Sequence, residues 1–244
     1  MIGRLEIWLR LTIEDIKFRI REIIRRYIRK LLEIAITDLD LMGSFHDIAS
    51  SAAFERKYLS QAAHFKGRSQ LFRYALGQVG NDSGLFLEFG VYKGDSINRL
   101  AALRPGARWY GFDSFVGLPE AWTLGTRTGA FGIGGKFPAV RDNVTLIKGF
   151  FEETLATFAA EHRGSKVAFL HVDCDLYSAT RTIFVELGDM LQPGCIVVFD
   201  EFINYPGWQD GEYKAFIEFV TENNRTFEYL GYVRTGGQVA VRMT

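Results

Sequence analysis

Cysteine is scarce in this sequence, with only two among 244 residues. Cys174 and Cys195 both fall inside apolar runs that predict strands, and their spacing is not that of a metal site. So few cysteines exclude a disulfide-rich scaffold. We therefore expect both to be reduced core residues of a cytoplasmic protein.

Long apolar runs are also missing. No stretch of about 18 uncharged apolar residues occurs, so we expect no membrane-spanning helix. Arg4, Glu6 and Arg10 interrupt the apolar N-terminal stretch that a signal peptide would need.

The chain has no excess of charge of either sign. Its formal net charge is zero, which gives no general reason to expect nucleic acid as a partner. With 48% hydrophobic and 24% charged residues, the composition is typical of one soluble globular domain.

The first part of the chain differs in pattern from the rest and predicts an N-terminal helical extension, residues 1–80, before a main domain, residues 81–244. Within 13–36, apolar residues recur at intervals of three and four, which indicates one face of a helix. That face consists of Ile13, Ile16, Ile20, Ile23, Tyr27, Leu31 and Ile34. The opposite face is basic and consists of Arg19, Arg21, Arg25, Arg26, Arg29 and Lys30.

Three interpretations of this basic amphipathic helix stay open. It could pack against the main domain or a second subunit, and we expect a homo-oligomer. It could instead lie on an anionic membrane surface through residues 13–36. Binding to a nucleic-acid backbone is the third, although no sequence motif supports it.

From Leu85 onward, strand and helix patterns alternate, which is typical of a parallel sheet with helices on both faces. The last two strands flank Arg234-Thr-Gly-Gly237, a hairpin connection. We predict an α/β protein with a mostly parallel seven-stranded sheet and a C-terminal antiparallel hairpin. The strands are predicted near 85–89, 108–112, 144–148, 167–173, 194–199, 227–233 and 238–242, and helices near 95–103, 152–162 and 178–191.

A glycine turn follows the first of these strands. The apolar strand ends in Glu88, then come Gly90 and Gly94, and a helix begins near Ser96. This arrangement makes a nucleotide-type crevice in an open α/β sheet. Glu88 stands where a dinucleotide site has its first glycine, and its carboxylate would repel a pyrophosphate. A cationic ligand without phosphate, such as S-adenosylmethionine (SAM), suits the turn, and the predicted sheet is the usual, Rossmann-like architecture of class I SAM-dependent methyltransferases.

Acids follow three further strands. Asp113 lies about 25 residues after the glycine turn, where an acid can accept hydrogen bonds from ribose hydroxyls. Asp173 and the pair Asp200-Glu201 end two apolar strands at one edge of the sheet. Carboxylates that converge repel one another unless a cation lies among them, and an oxygen-only ligand set favours Mg²⁺ over zinc. Asp175 is either a further member of this group or a cap of the helix near Ser178.

A divalent cation next to SAM indicates methyl transfer to a hydroxyl group. Coordination to Mg²⁺ lowers the pKa of a sugar hydroxyl, and a carboxylate beside the metal can then take its proton. Asp173, which lies nearest to both predicted sites, is the predicted base as well as a metal ligand.

Four segments of the chain resemble the macrocin/mycinamicin O-methyltransferase family (TylF/MycF-like), which includes the enzyme that methylates the noviose sugar of novobiocin. These segments span most of residues 85–210 in order. They are Leu87-Glu-Phe-Gly-Val-Tyr-Lys-Gly-Asp-Ser96, Gly111-Phe-Asp-Ser-Phe-Val-Gly-Leu-Pro-Glu-Ala-Trp122, His171-Val-Asp-Cys-Asp-Leu-Tyr-Ser-Ala-Thr180 and Val198-Phe-Asp-Glu-Phe-Ile-Asn-Tyr-Pro-Gly-Trp208.

The resemblance implies Mg²⁺-dependent methylation of a hydroxyl on a deoxysugar attached to a natural product, as in antibiotic biosynthesis. Metal contacts carry over to Asp173, Asp200 and Glu201, although family members often have two aspartates where this chain has Asp200-Glu201. The implied SAM contacts are Glu88, Gly90, Tyr92, Ser96, Asp113 and Ser114.

The leading hypothesis is therefore a Mg²⁺-dependent SAM O-methyltransferase that acts on a glycosyl hydroxyl of a small-molecule natural product or a glycoconjugate. One alternative is another acceptor, such as a phenolic hydroxyl or a membrane-presented polysaccharide or lipid-linked sugar. A different class of function is a non-catalytic SAM-fold module whose N-terminal helix recruits a partner. The acid cluster argues against this module, because a binding scaffold has no need of mutually repelling carboxylates.

Overall fold

A computed structural model describes residues 2–80, 83–123 and 125–244, and side chains from Asp15 onward within these ranges. The chain forms two compact units, Met1–His46 and Asp47–Thr244. The sequence also predicts a turn at Gly80-Asn81-Asp82, and this turn lies largely outside the described residues.

The N-terminal unit contains helix α1 (Ile2–Thr37) and the start of helix α2 (Leu39–Phe54). Helix α1 begins closer to the N-terminus than the pattern over 13–36 predicted. Residues 2–12 contain no proline that would interrupt it. Asp38 separates the two helices, and its Oδ1 accepts a hydrogen bond of 3.0 Å from the backbone N–H of Leu41. This is the capping contact that favours an acid at a helix start.

The second unit is an eight-stranded sheet surrounded by helices. Its strands are β1 (Ala63–Phe65), β2 (Leu85–Phe89), β3 (Trp109–Asp113), β4 (Val144–Lys148), β5 (Val167–Val172), β6 (Ile196–Phe199), β7 (Phe227–Val233) and β8 (Val239–Met243). Its helices, besides the end of α2, are α3 (Arg68–Gly77), α4 (Asp95–Leu103), α5 (Phe151–Glu161), α6 (Tyr177–Leu187) and α7 (Glu212–Glu222).

The strand order is β1-β7-β8-β6-β5-β2-β3-β4. All neighbours are parallel except that β8 runs antiparallel to both β6 and β7. The predicted α/β class with a C-terminal hairpin is confirmed. The sheet has eight strands instead of seven because the short β1 pairs with β7, with Ala63 opposite Gly231.

The core lies on both faces of the sheet. Alternate side chains of a strand point to opposite faces, so Phe89 and Val172 belong to one buried cluster while Phe86 and Phe169 belong to the other. Burial on both faces explains why the central strands are apolar almost throughout. Cys174 and Cys195 are buried and free, as predicted.

None of the helices in the described part of the chain combines the length and the apolar character needed to cross a membrane.

Candidate active site

A cavity of about 390 Å³ lies beyond the carboxyl ends of the central strands. This is where open α/β sheets bind ligands. Seven of the predicted site residues line it, namely Gly90, Tyr92, Ser96, Asp113, Ser114, Asp173 and Glu201. The other two, Glu88 and Asp200, are buried beside it.

The glycine turn brings β2 close to the end of β5. Gly90 has φ of +92°, and a Cβ added to it would lie 1.6 Å from the carbonyl oxygen of Asp173. Only glycine fits at this position. The backbone N–H of Asp173 in turn donates a 2.9 Å hydrogen bond to Phe89. The predicted turn and the predicted acid edge are therefore in direct contact.

Asp113 holds two loops together at the end of β3. Its Oδ2 accepts a 2.7 Å hydrogen bond from the backbone N–H of Tyr92, and its Oδ1 accepts one of 2.6 Å from that of Phe115. Ser114 closes the following turn by donating to the carbonyl of Gly117 at 3.1 Å. Both side chains thus shape the rim of the cavity, while contact of either with a ribose stays a prediction.

Glu88 lies beneath the cavity. It is fully buried, and its two oxygens are engaged by the hydroxyl of Ser96 at 3.0 Å and by Nδ1 of His171 at 2.9 Å. Alternation along β2 puts Glu88 on the same buried face of the sheet as Phe86. A direct contact between Glu88 and a ligand stays a prediction; the structure links it to the cavity through Ser96.

His171 connects the turn to the acid edge. Its Nε2 lies 3.7 Å from Oδ1 of Asp200 while Nδ1 contacts Glu88. Burial opposes the charged imidazolium, but Asp200 and Glu88 outweigh this effect and raise the pKa of His171 to about 10. The sequence interpretation gave this histidine no ligand-binding role.

Asp173 and Asp200 meet at the edge formed by β5 and β6. Together with His171, each offers one potential ligand atom within 4.8 Å of the others. Burial and the charge of Asp200 raise the pKa of Asp173. Burial opposes the charged form of Asp200 too, yet His171 and Arg68 hold the pKa of Asp200 well below its ordinary range.

Arg68 already provides a cation between these two aspartates. Its Nη1 lies 3.1 Å from Oδ1 of Asp200 and 3.4 Å from Oδ2 of Asp173. Gln238 adds a 3.1 Å hydrogen bond to the other oxygen of Asp200. Neither residue was predicted from the sequence, and Arg68 falls within residues 1–80, the predicted extension.

Glu201 lies in a second group of acids beside the first. Its Oε2 is buried and has no hydrogen-bond partner among the described residues. Burial, reinforced by the charge of Glu212, raises the pKa of Glu201. Glu212, the first residue of α7, is fully buried and accepts hydrogen bonds from the backbone N–H groups of Cys174 at 3.4 Å and Glu201 at 3.1 Å. It therefore fixes the ends of β5 and β6, a role that sequence analysis did not find.

Asp175 does not cap helix α6. The helix begins at Tyr177, its N-cap is Leu176, and no side chain caps it. Asp175 is buried in the left-handed region with φ of +65°, and burial with the nearby charge of Asp200 raises its pKa to about 6. Capping, one of the two predicted roles, is wrong.

Comparisons with known proteins agree with this fold. A family model described as a methyltransferase domain matches residues 87–202. No curated protein matches the chain closely enough to count as a relative.

Solved methyltransferases share the architecture. The chain is similar to CalS11, a calicheamicin methyltransferase, with 25% identity and a TM-score of 0.59, over 71% of this chain and 77% of that one. An apo structure of CalS11, described as a TDP-rhamnose 3'-O-methyltransferase, gives 25% identity and a TM-score of 0.52, over 71% and 78%. The O-methyltransferase NovP shares the fold at 21% identity and a TM-score of 0.54, over 72% and 79%. The chain has the class I SAM-dependent methyltransferase fold, and the matched domain with these neighbours supports a SAM-dependent O-methyltransferase.

Proposed function

We propose that the protein transfers a methyl group from SAM to a sugar hydroxyl of a natural product or glycoconjugate, with Mg²⁺ bound at the acid edge. The observation that carries this proposal is the contact between Gly90, in the glycine turn, and Asp173, in the acid edge. A methyl donor and a hydroxyl acceptor need this proximity, because holding the reacting atoms in line supplies much of the acceleration.

The donor would lie along the ends of β2 and β3. Tyr92, Ser96, Asp113 and Ser114 all line the cavity there. Asp113 keeps the turn and the β3 loop in one arrangement, and its carboxylate would accept hydrogen bonds from the ribose hydroxyls. Ser96 lines the cavity, and its hydroxyl donates a 3.0 Å hydrogen bond to the buried Glu88. Glu88 would therefore act on the donor by orienting this hydroxyl.

The donor atoms at the acid edge fit a hard divalent cation. Asp173 and Asp200 offer carboxylate oxygens close to each other, and Glu201 offers a buried oxygen without a partner in the described structure. Bound Mg²⁺ would supply Lewis acidity that lowers the pKa of an acceptor hydroxyl. Asp173 lines the cavity and would accept the proton of that hydroxyl, while Arg68 would have to leave the two aspartates.

The acceptor side has an aromatic wall. Trp122 lines the cavity, and its ring centroid lies 5.7 Å from that of Tyr205. Aromatic faces of this kind pack against the apolar faces of sugars. The description of CalS11 as a TDP-rhamnose 3'-O-methyltransferase supports a sugar hydroxyl as the acceptor. The four motifs that resemble the TylF/MycF-like family support a deoxysugar.

The substitution Asp173→Ala tests the proposed base and ligand. We expect turnover to fall at least about a thousandfold, since a general base and a metal ligand are lost together. Binding of S-adenosylhomocysteine, measured by calorimetry, should persist. The exposed Asp142→Ala variant is the matched control and should keep full activity. Substantial turnover by Asp173→Ala would remove this residue from the proposed mechanism.

A further inference from the structure

Helix α1 carries a long apolar surface that the proposed reaction does not use. From Ile16 to Ile36 its large apolar side chains are exposed; Tyr27, for example, is 70% exposed. The set comprises Ile16, Phe18, Ile20, Ile23, Ile24, Tyr27, Ile28, Leu31, Leu32, Ile34 and Ile36. Exposed apolar surface of this extent marks an interaction site.

Most of these residues form one stripe along the helix. At 3.6 residues per turn, seven of them fall within an arc of about 100°. They are Ile16, Ile20, Ile23, Ile24, Tyr27, Leu31 and Ile34. We call this set the apolar stripe.

Cations border the apolar stripe on both sides. Arg19 and Lys30 follow one border, and Lys17 and Arg21 follow the other. The acids Asp15, Glu22 and Glu33 lie on the opposite side of the helix, as do Arg25 and Arg29. Arg19, Arg21 and Lys30, which the sequence predicted on that opposite face, lie closer to the stripe instead. Basic side chains at the borders can extend along the apolar surface and place their charges at its edge.

Four basic side chains of α1 form no ion pair with the residues that the structure describes. They are Arg21, Arg26, Arg29 and Lys30. Two others are paired, Arg19 with Asp15 at 3.0 Å and Arg25 with Glu22 at 2.8 Å. These pairs are exposed, so they hold their arginines only weakly.

The charge pattern distinguishes a membrane from a second copy of the chain. Two apolar stripes packed face to face would bring rows of cations together at both borders, in parallel or antiparallel orientation, and like charges repel. An anionic lipid surface offers acyl chains to the stripe and phosphates to both borders. We propose that residues 16–36 of α1 bind the surface of an anionic membrane, with the helix axis in the membrane plane.

Vesicle flotation with the full-length protein tests this proposal. We expect binding to vesicles of phosphatidylcholine with phosphatidylglycerol, and binding at least about tenfold weaker to phosphatidylcholine alone. The double variant Ile23→Asp/Leu31→Asp should lose binding, and Arg21→Glu/Lys30→Glu should lose the preference for anionic vesicles. The control Glu22→Gln/Glu33→Gln changes only acids on the side of the helix opposite the apolar stripe. It should bind anionic vesicles at least as well as the wild type.

Two outcomes would overturn the proposal. One is that the wild type binds neither kind of vesicle. If light scattering then shows a dimer that Ile23→Asp/Leu31→Asp dissociates, the stripe binds a second copy of the chain. The other is unchanged vesicle binding by the apolar double variant. If that variant fails to fold, as judged by circular dichroism, the charge variant decides, because it leaves the apolar stripe intact.

Discussion

Arg68 is the residue on which the electrostatics of the acid edge depend most. One guanidinium nitrogen contacts both Asp173 and Asp200, while His171 approaches Asp200 from the buried side. Two cations thus offset the carboxylates that the sequence predicted to require a metal ion. The acid edge therefore contains internal cations, and a divalent ion would have to compete with Arg68.

This competition predicts the behaviour of Arg68→Met. Without the guanidinium, Asp173 and Asp200 repel each other, so the free energy of unfolding without metal should fall, by only about 1 kcal/mol since the arginine side chain is 40% exposed. Affinity for Mn²⁺ or Mg²⁺, measured by calorimetry, should rise because the competing cation is gone. Arg68→Lys keeps a positive charge and is the control. A lower metal affinity in Arg68→Met would show that Arg68 assists the ion instead.

The elements differ in how far the sequence could predict them. Strands β2, β4 and β7 were predicted with their observed bounds, because apolar and β-branched runs end at clear turn residues. Strand β1 has only three residues and no readable alternation, and α7 was not predicted at all. Glu212 is the first residue of α7, and Arg68 follows β1 closely in the chain, so both residues of the site were missed with these elements.

The short π-helical turn Glu55–Leu59 contacts strand β7 of the sheet through the carboxylate of Glu55. Glu55 accepts hydrogen bonds from the hydroxyl of Tyr232 at 2.5 Å and from Arg234 at 3.2 Å. The hydrogen bond from Tyr232, assisted by Arg234, lowers the pKa of Glu55. A carboxyl whose pKa is lowered on folding stabilises the protein above its unfolded pKa, and this contribution disappears as the pH falls through the folded pKa.

We therefore expect Glu55→Gln to be less stable than the wild type at neutral pH, by less than about 1 kcal/mol because the site is near the surface. The difference should shrink as the pH falls below about 4.5. Denaturant unfolding across this pH range measures it. A difference that stays constant with pH would mean that the carboxylate charge does not contribute.

At the scale of the whole molecule, strand order creates the site. Strand β5 lies between β2 and β6, so the glycine turn after β2 and the acids after β5 and β6 share one edge. The predicted α/β alternation sufficed to place Asp113, Asp173 and Glu201 at one cavity. It could not place Arg68, Glu212 or Gln238, since none of the three follows the carboxyl end of a predicted strand and their contacts with the site depend on tertiary packing.

We propose that this cavity binds SAM beside the acid edge. Titration of S-adenosylhomocysteine into the full-length protein by calorimetry tests it most directly. We expect saturable binding at one site per chain, weakened at least about tenfold by Asp113→Ala, because this variant releases the N–H groups of Tyr92 and Phe115. A folded protein that shows no binding would contradict it.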